Sequence, residues 1–417
     1  MNAPSAGWTI RSHTAIREID SRDWDLCAGA DTAGDATESA DKRVESPAEQ
    51  LESPREVSAS NPFISFNFLA SLEDAGCVGG RTGWHPAHQV LRDASGAVLA
   101  VAPAYVKTHS QGEYVFDHGW AEAYERAGGA YYPKVQVTVP FTPATGPRLF
   151  VHPGVERSAA IAALADGLET LRARIGGSSV HATFLPEAEA RALAEHGYLL
   201  RNDRQFHWDN ASYARFDDFL AALASRKRKM IRRERKDALA AGITIRWLTG
   251  KDITEADWDA FFAFYMDTGA RKWGRPYLNR RFFSLIGERM ADRILLVMAD
   301  RAGKPIAGAI NFIGQNALFG RNWGAIEEHP FLHFEVCYYQ AMDFAIARGL
   351  ARVEAGAQGE HKLLRGYRPV TTWSAHAIEH DGLRGAVARF LAAERDAVAG
   401  EKIELDRLTP FRRSSEP

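Results

Sequence analysis

The densest group of proton-exchanging side chains follows a short predicted strand, Arg352–Ala355. A carboxylate, an imidazole and a phenol lie close together there, and these are the groups that move protons during catalysis. We predict that Glu360 and His361 act as base and proton relay, and that Tyr367 protonates a leaving group. Open α/β sheets bind ligands beyond the carboxyl ends of their strands. The alternative is an ordinary polar loop that caps a helix.

Side chains suited to an anionic substrate surround this group. Arginine binds carboxylates and phosphates through two parallel hydrogen bonds, and lysine binds them as a point charge. We predict substrate contacts from Gln358, Lys362 and Arg365, and from Arg321 and Trp323 at the end of the preceding predicted strand. Trp323 can equally well fill the gap between two strands.

A second polar cluster, His109–Trp120, lies in the first half of the chain. Asp117 and His118 are candidates for binding an acceptor molecule there. Neighbouring residues on a strand face opposite sides, so we expect only one of the two to reach a given site. The cluster lacks the spacing of metal ligands, and we predict no metal site.

A strongly basic run, Arg226–Lys236, has the pattern of a helix. We predict that Arg228, Arg232 and Arg235 grip the phosphates of a polyanion. A solvated helix face is the alternative interpretation.

These candidates lie on what reads as a duplicated α/β unit. Each copy has a hairpin of two apolar strands, then an amphipathic helix that ends at a glycine, then one more strand. The segments are Val90–Ala104, Arg157–Ile175 and Ser179–Leu185 in the first copy, and Leu295–Ile310, Phe331–Arg348 and Arg352–Ala355 in the second. One large mixed domain is the alternative.

The length and composition of the chain are consistent with a duplicated unit. The chain has 417 residues, of which 46% are hydrophobic and 25% are charged, so two or three globular domains are expected. Residues 28–60 are acidic and nearly without large apolar side chains, which predicts a disordered insertion. No apolar run is long enough to cross a bilayer and no leader is recognisable, so we expect no membrane insertion. The three cysteines cannot form a disulfide framework, so we expect the protein in the reducing cytoplasm.

Several segments resemble the FemAB-like family of predicted N-acyltransferases in the GNAT superfamily, also described as peptidoglycan biosynthesis or recognition proteins. They include Tyr131-Tyr132-Pro133-Lys134, Lys272-Trp273-Gly274, His333–Gln340 and Val353–Lys362. The resemblance implies two tandem GNAT-like domains, each a mixed and mostly antiparallel sheet flanked by helices. We place them at residues 61–210, preceded by residues 1–27 as their start, and at residues 211–417. The resemblance also adds Lys272 and Trp273 as substrate-binding candidates.

The resemblance implies acyl transfer to a small-molecule amine, with backbone groups at a splayed strand pair assisting the reaction. GNAT enzymes bind the pyrophosphate of CoA at a glycine-rich helix start. The matching segment, Glu327–Phe334, has two carboxylates and no glycine. This segment is therefore a poor binding site for acetyl-CoA. Acyl-CoA and aminoacyl-tRNA both stay open as acyl donors, and with the second of these tRNA is a partner. A non-catalytic protein that binds a cell-wall or anionic ligand is the competing class.

Overall fold

The structure is a computed structural model that describes residues 7–29, 61–272, 276–357 and 359–412. The predicted insertion lies outside the described residues from position 30 onward, as do Trp273, Gln358 and the side chains of Lys272 and Glu360. The predicted start of the insertion is wrong by two residues. Ala28 is buried as the last residue of a helix, and Gly29 closes that helix with a φ of 64°.

Strands and helices alternate along the chain. The strands are β1 Thr9–His13, β2 Trp84–Pro86, β3 His88–Arg92, β4 Val98–Ala102, β5 Ala104–Lys107, β6 Lys134–Val137, β7 Phe150–Val151, β8 Ser179–Leu185, β9 Leu199–Asp209, β10 Ile243–Thr249, β11 Ile294–Arg301, β12 Lys304–Ile313, β13 Ala317–Ala325, β14 Arg352–Glu354 and β15 Arg368–Ile378. The helices are α1 Ser21–Ala28, α2 Phe66–Asp74, α3 His118–Arg126, α4 Arg157–Arg174, α5 Glu187–Glu195, α6 Phe216–Ala222, α7 Ser225–Ala238, α8 Glu255–Lys272, α9 Arg280–Met290, α10 Leu332–Phe334, α11 Gln340–Ala347 and α12 Asp381–Arg407. A π-helical turn, Glu335–Tyr339, joins α10 to α11, and a 3₁₀ helix, Glu360–Arg365, precedes β15.

The chain divides into two compact units. The N-terminal unit contains Met1–Pro140, Thr145–Leu200 and Trp373–Ala388, and the C-terminal unit contains Phe141–Ala144, Arg201–Thr372 and Arg389–Pro417. Each unit thus includes a segment from the other half of the chain. The domains predicted from the sequence are continuous ranges and do not include these exchanged segments.

The N-terminal unit has two sheets, one in the order β1-β3-β4-β7 and one in the order β2-β5-β6-β8 followed by Trp373–Ile378 of β15. β6 and β8 are parallel and α4 lies between them in sequence. The helix begins because Glu156 accepts the amide hydrogens of Ser158 and Ala159. Its apolar face then packs on β3, β4, β6 and β8 and forms the core of this unit.

The C-terminal unit is built on strands in the order β10-β11-β12-β13-β14-β9. All neighbours are antiparallel except β13 and β14, which are parallel and are separated in sequence by α10, the π turn and α11. β11 is buried along almost its whole length, which explains its continuous apolar sequence. α11 covers one face of the sheet through Ala341, Phe344 and Ala345.

The predicted repeat is confirmed by these elements. Both hairpins form at the expected positions, β3 with β4 and β11 with β12, and the second turns through Ala302 and Gly303, which have φ values of 50° and 74°. In both units an antiparallel pair leads through helical residues to a strand that pairs in parallel. Within the described residues, no helix is both long enough and apolar enough to cross a bilayer.

Candidate functional site

β13 and β14 stay paired over only a short distance. Their parallel register runs from Ala317↔Arg352 to Phe319↔Glu354, after which β14 ends and β13 continues to Ala325. Backbone N–H and C=O groups need partners. Beyond Phe319, one edge of β13 therefore offers backbone groups that β14 does not use, which is the splayed strand pair that the resemblance implies.

A β-bulge interrupts β13 where the strands separate. Ile310 faces Asn322 and Asn311 faces Gly320, so Arg321 is an extra residue on the bulged strand. Bulges redirect side chains and are common beside active sites. The half-buried Arg321 donates through Nη2 to the backbone carbonyl of Phe141. The bulge thus places a guanidinium, one of the predicted substrate-binding groups, at the mouth of the splayed pair.

A cluster of aromatic and imidazole side chains joins the helical segment after β13 to the 3₁₀ helix after β14. Trp323 contacts the His333 ring at a centroid distance of 5.3 Å, and His333 contacts Tyr338 at 5.3 Å. His361 Nε2 lies 3.0 Å from the Tyr338 hydroxyl, and the Tyr338 and Tyr367 rings are 5.6 Å apart. The structure therefore brings Trp323, His361 and Tyr367 together around Tyr338, a residue to which the sequence analysis gave no role.

Burial sets the protonation states in this cluster. It lowers the pKa of His361, with smaller contributions from the charges of Arg365 and Lys362. Burial also raises the pKa of Tyr338 and, more strongly, that of Tyr367. At neutral pH a neutral imidazole faces a protonated phenol, an arrangement that can pass a proton. The Tyr367 hydroxyl is buried and contacts no hydrogen-bonding group in the described structure, so Tyr338 is better placed than Tyr367 for acid chemistry.

Lys362 and Arg365 lie elsewhere than expected. Lys362 Nζ is buried and donates to the backbone carbonyls of Ala355 and Gly356, and burial lowers its pKa to about 8. Arg365 forms an ion pair with Glu234 on α7, with Nη2 2.7 Å from Oε1. Both cations face inward because the residues that follow β14 and helix α7 supply their acceptors, so their charges are directed toward partners within the chain.

The start of the helical segment after β13 carries negative charge. Glu327 bonds to Arg301 Nε at 2.8 Å and to His329 Nε2 at 2.8 Å, and these two partners lower its pKa to about 2. Phe331 adopts a φ of 60° before the helix begins, and a π turn follows in place of a regular second turn. π turns often mark functional sites. A pyrophosphate at this point would meet an ionised carboxylate.

Glu354 and His207 form a pair that the sequence analysis missed. They face each other across β14 and β9, with Glu354 Oε2 3.6 Å from His207 Nε2. Both atoms are buried, and neither finds a hydrogen bond within the described chain. The available signal was a carboxylate on a short strand whose middle residue, Val353, is apolar and buried. Glu354 is also the last residue of β14 that pairs with β13.

In the N-terminal unit, Asp117 and His118 do not lie on a strand, and that expectation is wrong. Asp117 occupies the N-cap of α3 and His118 begins the helix, because Trp120 and Ala121 bury one helical face. Asp117 is buried and bonds to Lys134 Nζ at 2.6 Å, whereas His118 is exposed. The two candidates therefore do not share a site.

A buried ionic network surrounds Asp117. Lys134 also bonds to Glu113 at 2.9 Å, and Lys107, its cross-strand partner on β5, lies 3.5 Å from the same carboxylate. Burial lowers the pKa of Lys107 to about 7. The alternation of polar and apolar residues in β6 was a signal for this polar face. No group of three or more His, Cys, Asp or Glu side chains in the described residues is arranged to hold a metal.

The basic run forms α7, and its three candidate arginines, spaced along one face of the helix, differ in their surroundings. Arg232 is exposed and pairs with Asp217, and Arg228 is half-buried. Arg235 instead turns inward and bonds to Glu335 at 2.8 Å and to Asp343 at 2.7 Å. The guanidinium of Arg235 is thus committed to internal carboxylates, and only Arg228 and Arg232 stay candidates for polyanion contacts.

Two units, each with a parallel strand pair and helical residues between its strands, define the class, a tandem GNAT-like α/β protein. The family model for FemAB-like proteins, described as peptidoglycan biosynthesis/recognition, matches residues 15–413. The chain belongs to this family. No curated protein matches it.

Several solved structures are similar to this chain at low identity. FemX has 12% identity and a TM-score of 0.47, and the match covers 78% of this chain and 94% of FemX. A tandem GNAT protein from the clavulanic acid biosynthesis pathway has 14% identity and a TM-score of 0.43, covering 89% of this chain and 98% of that one. The C-terminal domain of a putative lysylphosphatidylglycerol synthetase from Agrobacterium fabrum has 12% identity and a TM-score of 0.46, covering 80% and 92%.

Proposed function

We propose that the C-terminal unit transfers an activated acyl or aminoacyl group to an amine, with a cell-wall precursor or an amino sugar as acceptor. The observation that carries this proposal is the splayed pair β13–β14, with the bulge at Arg321 on one side and the 3₁₀ helix Glu360–Arg365 on the other. Family membership links the chain to peptidoglycan, the polymer whose precursors carry such amines.

The proposed reaction needs an electrophile held against backbone donors and a group that returns a proton to the leaving atom. The unused edge of β13 supplies amide hydrogens for the oxyanion of the tetrahedral intermediate. Tyr338, with its protonated phenol 3.0 Å from His361 Nε2, supplies the acid. Glu360 and Tyr367 stay predicted catalytic residues, and Arg321 and Trp323 are proposed to orient the acyl donor.

The donor is proposed to be an aminoacyl ester, or an acyl thioester that lacks the pyrophosphate of CoA. Glu327 is ionised at the helix start, and two phosphates at that point would be repelled. Arg228 and Arg232 on α7 are proposed to contact the phosphates of tRNA when an aminoacyl-tRNA is the donor.

A non-catalytic binding protein is the second candidate, and one observation favours it. Lys362, Arg365 and Tyr367, three of the predicted site residues, are buried and serve internal packing. A binding protein needs no acid or base at the splayed pair, so it would tolerate loss of the Tyr338 hydroxyl.

Measuring whether the protein forms a product distinguishes the enzyme from the binding protein. Cell extract is incubated with the purified protein, with Tyr338→Phe and without protein, and metabolites are profiled by mass spectrometry. A new amide-linked product that depends on the parent protein and falls sharply with Tyr338→Phe supports the enzyme. Enrichment of a ligand without any new product supports the binding protein.

A further inference from the structure

Glu354 and His207 are a cross-strand pair whose facing atoms are buried without a shared hydrogen bond. The Glu354 side chain is 10% exposed and the His207 side chain 5%, and the 3.6 Å between Oε2 and Nε2 is too long for a direct bond. Leaving two buried polar atoms in this state costs free energy. The strands hold the two residues directly opposite each other, so the two atoms face the same gap.

The pair lies where the sheet opens. Glu354 is the last residue of β14 to pair with β13, opposite Phe319, and the strands separate immediately after it. Alternation along β14 directs Glu354 to the opposite face from Val353, which belongs to the core under α11. The His361–Tyr338 cluster packs with that core, so Glu354 approaches the splayed pair from the other face of the sheet.

The charges around the pair leave Glu354 titratable near neutrality. Burial raises the pKa of Glu354 to about 7, with Arg352 opposing the shift and Asp209 adding to it. Burial together with the charges of Arg352 and Lys362 lowers the pKa of His207 to about 3, so its imidazole is neutral. A carboxylate near its midpoint and a neutral imidazole can both accept a proton at pH 7.

We propose that Glu354 is the general base of the acyl transfer, taking the proton from the acceptor ammonium at the splayed end of β13 and β14. This inference rests on the proposed function. His207 is the positioning residue, holding the nitrogen or an intervening water beside Oε2.

The proposed reaction moves one acyl group and two protons. The ammonium gives one proton to Glu354, and the nitrogen lone pair forms the N–C bond to the acyl carbon. The bond from that carbon to the ester oxygen or thioester sulfur breaks, and its electron pair leaves with the oxygen or sulfur. The second nitrogen proton reaches the leaving atom through the His361–Tyr338 side, and Glu354 returns its proton to solvent.

The test exploits an acceptor that needs no base. The parent protein, Glu354→Gln and the control Asp25→Asn are assayed with acetyl-CoA and with aminoacyl-tRNA as donors. Asp25 is a half-buried carboxylate of the N-terminal unit whose pKa is raised by burial to about 6, so Asp25→Asn is a chemically matched substitution. Acceptors are glucosamine, largely protonated at pH 7, and hydroxylamine, which is largely unprotonated there.

We expect Glu354→Gln to lower kcat for glucosamine by about 10²–10⁴-fold, the usual contribution of a general base, and to keep most of the hydroxylamine rate. Asp25→Asn should keep both rates. The inference would be overturned if folded Glu354→Gln lost the glucosamine and hydroxylamine rates equally, or kept both. It would also be overturned if Asp25→Asn lost the glucosamine rate selectively. No product from the parent with any donor and acceptor would remove the proposed function and this inference with it, whereas parental turnover with unchanged Glu354→Gln removes only the base.

Discussion

Arg365 and Glu234 form a buried two-point ion pair, with Nη2 2.7 Å from Oε1 and Nε 3.1 Å from Oε2. The pair joins the 3₁₀ helix after β14 to α7, the helix formed by the basic run. Glu234 also accepts the hydroxyl of Tyr339 from the π turn. Two regions that the sequence presented as separate functional candidates are therefore parts of one packed arrangement.

Removing one partner of this pair should destabilise the C-terminal unit strongly. Glu234→Gln and Arg365→Met should each lower the free energy of unfolding by about 3–5 kcal/mol, because a charge is left buried without its partner. Urea denaturation followed by tryptophan fluorescence measures this. Arg232→Gln is the control: it breaks an exposed pair with Asp217 and should cost at most about 1 kcal/mol. A mild effect of Arg365→Met would return this residue to the ligand-binding candidates.

Glu354 should make the protein less stable as pH rises through its own titration. Its pKa is raised from 4.5 to about 7, so the folded state keeps a proton that the unfolded state has lost, and the free energy of unfolding falls across that interval. Glu354→Gln should remove this fall and gain up to about 3 kcal/mol over the parent at pH 8, while matching it near pH 4. Denaturation at a series of pH values checks this, and parallel curves for parent and variant would contradict it.

The two tyrosines of the cluster should separate stability from turnover. Tyr367→Phe removes a buried hydroxyl that bonds to nothing in the described structure, so it should be neutral or slightly stabilising. Tyr338→Phe removes the partner of His361 and should lower turnover by about 10²–10⁴-fold. Turnover and melting temperature are measured on the same preparations. A large loss of turnover in Tyr367→Phe, with normal stability, would restore the acid role first predicted for it.

The two arginines of α7 that have stayed candidates, Arg228 and Arg232, should account for any RNA affinity. Arg228→Gln with Arg232→Gln should weaken tRNA binding and flatten its dependence on salt, by a slope of about 1.4 if both contact phosphates of a flexible strand. Filter binding at several salt concentrations measures the slope. Arg191→Gln, an exposed arginine of the N-terminal unit, is the matched control. An unchanged slope would leave α7 as a solvated helix.

Acetyl-CoA should bind weakly. The segment Glu327–Phe334, which leads into the helix after β13, contains the ionised Glu327 and no glycine to bring backbone amides to a pyrophosphate. Isothermal calorimetry should find no heat of binding at micromolar concentrations. Low-micromolar affinity in the parent would contradict the charge argument, and Glu327→Gln serves to show whether that carboxylate sets the affinity.

Much of the fold follows from local pattern. The two hairpins, α4 and β8 lie where the sequence predicts them, because turn residues such as Gly303 and the alternation of apolar side chains act over a few positions. The strand predicted before the candidate site also forms, as β14, so the segment that follows it lies beyond the end of a strand as expected.

The roles of individual side chains were decided by tertiary structure. Whether Arg365 meets a ligand or Glu234 depends on packing between residues far apart in the chain, and the same holds for Lys134 with Asp117. Glu354 and His207 become a pair only because β14 and β9 are neighbours in the sheet. Burial then sets their protonation, since the cost of holding a charge depends on the surroundings that the folded chain provides.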